Sequence, residues 1–163
     1  MDKHFELTDK FIINAFGIKL LQIKCTRKIK HADVGDLGGY IEKEDNLSGD
    51  AWVYGNAQVC GDAQVSGDAQ VSGDAKVSGN AQVSGDAKVS NNNEHCGFDC
   101  FGSANRHTHA YKTQSGKVEI ICGCFRGSIE EFEEQVKKTH QGNEFERQYM
   151  AIAEVIKIKL GLK

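Results

Sequence analysis

Residues 49–90 read Gly49-Asp50-Ala51-Trp52-Val53-Tyr54, then Gly55-Asn56-Ala57-Gln58-Val59-Cys60, and continue in six-residue steps to Gly85-Asp86-Ala87-Lys88-Val89-Ser90. Within each unit alanine and valine stand two apart. On an extended strand they point to one side, while the Gln, Lys or Trp between them points to the other. Ala51, Val53, Ala57, Val59, Ala63 and Val65 therefore line an interior. The Gly-Asp or Gly-Asn pair between strands supplies a corner, through backbone freedom and local side-chain hydrogen bonding. Each unit is one short strand and one bend.

Three units make a turn of eighteen residues, which stacks Val53 on Val71 on Val89, and Val59 on Val77, at roughly 4.8 Å. The register extends backward: Ile41 stands eighteen residues before Val59, and Leu47 eighteen before Val65. The expected fold is mainly β, with a left-handed parallel β-helix of about three coils over residues 37–90. Strand pairing from coil to coil satisfies the backbone and leaves open edges only at the two ends. The composition agrees, since eighteen glycines with no proline fit a repeated turn that needs glycine.

The aliphatic-x-x-x-small-x pattern resembles the hexapeptide-repeat left-handed β-helix superfamily, whose best known members are trimeric acyltransferases. More narrowly, Gly35-Asp36-Leu37-Gly38-Gly39-Tyr40-Ile41-Glu42, then Glu44-Asp45-Asn46-Leu47-Ser48 and Asp50-Ala51-Trp52-Val53-Tyr54-Gly55-Asn56-Ala57, resemble the opening segment of transferase-like proteins of bacteria and their phages. Gly123-Cys124-Phe125-Arg126-Gly127-Ser128, with Glu131-Phe132 and Thr139-His140 beyond, is similar to the tail of that group. The resemblance implies the left-handed coil and a homotrimer. The acyltransferases use a histidine base and a loop thrown out from the coils. Residues 49–90 contain neither, and His31 lies before them. A non-catalytic role is therefore favoured, because a fold by itself does not carry an activity.

Outward rows such as Trp52-Gln70-Lys88 and Gln64-Gln82 read as solvated faces, except that Trp52, beside Tyr54, is expected to meet a cap or an interface. The Gly-Asp corners resemble those of calcium-binding β-rolls, but the period is six and Asn56 and Asn80 replace aspartate, so corner hydrogen bonding accounts for them without metal.

Four segments follow. Residues 1–36 form an N-terminal β cap, a hairpin built on Phe11-Ile12-Ile13 and Ile18 to Ile23 around Gly17 that covers the first coil. Residues 37–90 are the coil, and 91–103 a linker. Residues 104–163 form a ββαα unit: strands over 104–112 and 117–125 joined by Thr113-Gln114-Ser115-Gly116, a helix opened by a Ser128 to Glu131 capping box, and a second helix from Glu144 to Leu160 stopped by Gly161.

Chemistry concentrates in that last unit. Period two places Asn105, His107, His109 and Tyr111 on one strand face and Arg106 and Thr108 on the other. Cys122 and Cys124 follow, and the chain enters the first helix through Arg126-Gly127-Ser128, where unpaired N–H groups favour an anion. The expected ligand site is Asn105, Arg106, His107, Thr108, His109, Lys112, Cys124, Arg126, Gly127 and Ser128. A structural zinc at His95, Cys96, Cys100, Cys122 and Cys124 is the lesser alternative, because C-x3-C and C-x-C are weak spacings.

The net charge of −3 leaves no segment basic enough to neutralise duplex nucleic acid. Without an apolar signal region or a membrane-length run, and with reduced thiols, the expected location is cytoplasmic, in the host if the chain is phage-encoded. The expectation is a homotrimer that binds or sequesters a small anionic, nucleotide-like ligand, with no cofactor and no catalytic residue. The alternatives are a group-transfer enzyme using His107 or His109, and a structural or host-protein-binding trimer.

Overall fold

The computed structural model describes residues 3–163 and divides the chain into two compact units, Met1–Asn92 and Asn93–Lys163. In the first unit, strands β1 (Phe5–Ile13) and β2 (Lys19–Cys25) form an antiparallel hairpin. Its turn is organised by Asn14, whose Oδ1 accepts from the backbone of Phe16 at 2.9 Å and of Ile18 at 3.0 Å. Strand β3 (Leu37–Ile41) then pairs antiparallel to β2. A 3-10 turn over Glu44–Asn46 leads into the repeat.

Seven two-residue strands follow: β4 (Trp52–Val53), β5 (Gln58–Val59), β6 (Gln64–Val65), β7 (Gln70–Val71), β8 (Lys76–Val77), β9 (Gln82–Val83) and β10 (Lys88–Val89). They pair in parallel at the eighteen-residue register. Trp52 lies against Gln70 and Gln70 against Lys88, Gln64 against Gln82, and Ile41 against Val59 and then Val77. Leu47 bridges Val65 in the same sense. Every repeat valine is fully buried, and the repeat alanines are at most 2% exposed. The corners stack as well: Gly67 has φ +68°, and a Cβ there would lie 2.9 Å from the backbone nitrogen of Gly85. Glycine is needed for both the turn and the close approach. This is a β-solenoid.

The N-terminal hairpin reaches the solenoid by main-chain pairing. The sheet order β1-β2-β3-β5-β8 shows β2 laid along β3, so the hairpin extends one face of the solenoid sideways and protects its edge. Trp52 is 1% exposed and is covered as a cap contact. The His4 ring stands 5.9 Å from it, and His4 Nε2 is 2.9 Å from the carbonyl oxygen of Ala51.

The second unit is a four-stranded antiparallel sheet with two helices. Its strands are β11 (His95–Phe101), β12 (Arg106–Lys112), β13 (Val118–Cys122) and β14 (Phe125–Gly127), in that spatial order. Helices α1 (Ile129–His140) and α2 (Glu144–Leu160) follow. The unit is thus ββββαα where the sequence suggests ββαα. Residues 95–101, read as linker, form a strand because Cys96 and Phe98 alternate with His95, Gly97 and Asp99 and pair along β12. The run 117–125 breaks into two strands because Gly123, at φ +62°, opens a two-residue turn.

Ala110, Val118, Ile120 and Cys122 from one face of the sheet pack with Phe132, Val136, Tyr149, Ile152 and Ile156 from the helices. Ser128 caps α1 in a reciprocal box with Glu131, and Asn143 caps α2. No helix among the described residues is long and apolar enough to cross a membrane.

Candidate functional site

Alternation along β12 sends its polar side chains to opposite faces. Thr108 and Ala110 face the helices, with Thr108 Oγ1 donating to Cys122 Sγ at 3.2 Å. His107, His109 and Tyr111 lie on the other face. Across the strand pair, Gly97 and His95 join them by register, and Asp99 from the bulge that follows Phe98. Nδ1 of His107 is 2.6 Å from Oδ1 of Asp99, and the His95 and His109 rings are 5.3 Å apart. Burial, reinforced by His95 and His107, pushes the pKa of His109 down to about 3, so this imidazole is neutral at ordinary pH.

The ten residues expected to form one site therefore divide. Arg126 pairs with Glu119, whose Oε1 also accepts from Tyr111 Oη at 2.7 Å. Lys112 stands at the far end of β12 from Arg106, roughly 20 Å away at the rise of a strand. The α1 N-terminus is already engaged. Glu131 N donates to Ser128 Oγ at 3.2 Å, and Ser128 N donates to Glu131 Oε2 at 2.8 Å. A Cβ at Gly127 would meet that same carboxylate at 2.5 Å. Glu130, its carboxyl held below the usual range by its own backbone amide and by Ser128, adds further negative charge. An anion arriving there would compete with the chain's own carboxylates.

Arg106 and Cys124 are brought together elsewhere. They line a hollow of about 260 Å³ with Phe125, Phe132, His140 and Tyr149. The turn before β12 uses left-handed residues Gly102 and Asn105, at φ +74° and +47°. The Gly123 turn lies against the Arg106 side chain, since a Cβ there would be 2.5 Å from Nη1. Among the described residues Arg106 makes no ion pair. The walls are aromatic: His140 stacks on Tyr149 at 5.4 Å, and Phe132 meets Tyr149 edge-on at 5.8 Å. Burial raises the Tyr149 pKa, with Cys122 adding to the rise and Ser103 and Arg106 opposing it, so the phenol keeps its proton.

Three other hollows are larger but offer less chemistry; the smallest of them, about 370 Å³, sets Arg126 among Glu131 and Glu134. One of about 600 Å³ is mainly apolar, with Phe98, Phe101, Ile152 and Val155 beside Glu144, Arg147 and Gln148 at its wall. Another, of about 1000 Å³ in the first unit, has basic groups that are already paired, Lys3 with Glu44 and Arg27 with Asp50.

The cysteines weighed for zinc do not converge. Cys96 and Cys122 pack toward the helices, Cys100 and Cys124 are exposed, and burial raises the Cys96 thiol to about 11, which keeps it protonated. Sequence reasoning missed Tyr149, Asp99, Glu119 and Gly97 as neighbours of these groups. The alternation of β11 could have placed Asp99 and Gly97; no sequence signal points to Tyr149.

A family model described as the YdcK beta-solenoid repeat matches twice, over residues 57–73 and 69–85. The two matches start twelve residues apart, two units of the six-residue period. No curated protein matches the chain. Both matched stretches lie inside the parallel strands, so the comparison and the strand register agree that residues 57–85 are repeats of a β-solenoid.

Proposed function

We propose that this chain is a non-catalytic protein whose solenoid is a left-handed β-helix of about three coils, assembled as a homotrimer, and that it binds a small anionic ligand beside Arg106. The observation that carries the reading is an arginine, without an ion-pair partner among the described residues, at the wall of an aromatic-lined hollow. A guanidinium presents a planar fork to a carboxylate or phosphate, and aromatic walls favour a flat body behind that charge. The hollow is slightly smaller than the usual ~300–1,000 Å³ of drug-sized sites. That size suits an aromatic carboxylate, a sugar phosphate, or the phosphate-bearing part of a nucleotide.

Native mass spectrometry of the protein mixed with nucleotides and cell metabolites tests this. A discrete, unmodified adduct is expected on the wild type and on Arg126→Ala, whose arginine is occupied by Glu119, and no adduct on Arg106→Ala. Undiminished binding by Arg106→Ala would remove the site. A chemically altered pool would favour the group-transfer reading instead.

A second reading, a partner-binding protein, is favoured by Phe101, Val155 and Ile158, which are 41%, 48% and 72% exposed. Exposed large apolar groups tend to mark contacts. Retention of a host protein with no small-molecule adduct would support it.

A further inference from the structure

The imidazoles on the sheet face away from the helices have no part in the anion hollow. Nε2 of His107 and Nδ1 of His109 are 3.4 Å apart. That is long for a hydrogen bond between nitrogens. It matches the separation of about 3.3 Å that two imidazole nitrogens adopt when each lies ~2.05 Å from one tetrahedral metal ion.

Three further observations bear on the same point. Asp99 accepts at Nδ1 of His107, an outer carboxylate that fixes the proton there and leaves Nε2 with its lone pair available. His109 is 1% exposed, and its ring is held stacked 5.6 Å from that of His107. Opposite His109 in the strand register is Gly97. A Cβ there would lie 2.9 Å from Nδ1 of His109 and 3.0 Å from Nε2 of His107. Any other residue would intrude on the space against both nitrogens.

We propose that His107 Nε2 and His109 Nδ1 bind a divalent transition-metal ion of the zinc, nickel or copper class, with His95 as third ligand and Asp99 as the group that orients His107. Imidazole donors suit these metals. No three donors among the described residues surround one point as the side chains stand. The His95 ring stands 5.3 Å from that of His109, and a change of its rotamer is what the proposal requires to bring in the third donor.

The test uses untagged, metal-stripped protein titrated with Co²⁺ followed by visible absorption and with Zn²⁺ followed by calorimetry. One ion per chain is expected. Binding should be lost in His107→Gln, in which the changed side chain is only partly buried, and should weaken about 10–100-fold in Asp99→Asn. Gly97→Ala, with every histidine retained, should also lose the ion, and Arg106→Ala should keep it. Circular dichroism confirms that each variant remains folded, and His107→Gln carries the test if Gly97→Ala does not. The absence of saturable Co²⁺ and Zn²⁺ binding by the wild type would overturn the proposal, as would equal affinity in a folded His107→Gln.

Discussion

His4 is 2% exposed, with its Nε2 on the carbonyl of Ala51 and its ring against Trp52. Burial lowers its pKa, Arg27 lowers it further, and the Ala51 hydrogen bond and Asp50 oppose the shift without reversing it. The unfolded chain therefore takes up this proton before the folded one does. Stability then rises with pH across the window below the ordinary imidazole value of ~6.5 and falls on acidification. Urea unfolding of the wild type is expected to show falling stability from pH 7 to pH 5, with a shallower fall in His4→Gln. Equal slopes for the two proteins would mean that the buried His4 is not a source of the dependence. The sequence marks Trp52 as a residue that needs cover. It does not say that His4 supplies it, because the two are brought together by the path of the first strand.

At the scale of elements, the solenoid is a stack of identical small contacts. Val71 is fully buried between Val53 and Val89 in the parallel register. Val71→Ala removes two methyl groups from a site that neighbouring coils cannot readily close, and is expected to cost roughly 2 kcal/mol. Gln64→Ala, on an exposed row, should stay within about 0.5 kcal/mol. Chemical denaturation of the two variants checks the contrast. This element was legible residue by residue, down to Ile41 and Leu47 as the first members of their stacks. The second unit was legible in part. Ser128 and Glu131 announce α1, and Asn143 caps the α2 that the periodicity of Phe145, Tyr149, Ile152 and Ile156 implies. The strand His95–Phe101, inside the segment 91–103 expected as linker, is not legible locally, since Gly97 and Asp99 are poor strand formers and pairing with β12 overrides that preference.

For the whole molecule, assembly is the property that neither unit displays by itself. If the chain forms the proposed homotrimer, sedimentation equilibrium will give three times the chain mass, independent of whether a ligand is present. A monomer would withdraw the trimer and leave the binding proposals, which use residues of one unit, standing. The sequence by itself determined the solenoid, its six-residue corners, its eighteen-residue register and its valine interior, because each follows from a short period repeated in place. It also identified the polar residues of β12 and, by alternation, the faces they occupy. Only the tertiary structure decided which of those residues meet. Arg106 is joined by Tyr149 and His140 from the helices, His107 by Asp99 from a strand paired through a bulge, and Arg126 is withdrawn by Glu119. These partners are distant in sequence and carry no common period, so their meeting is set by packing and by strand register across a turn.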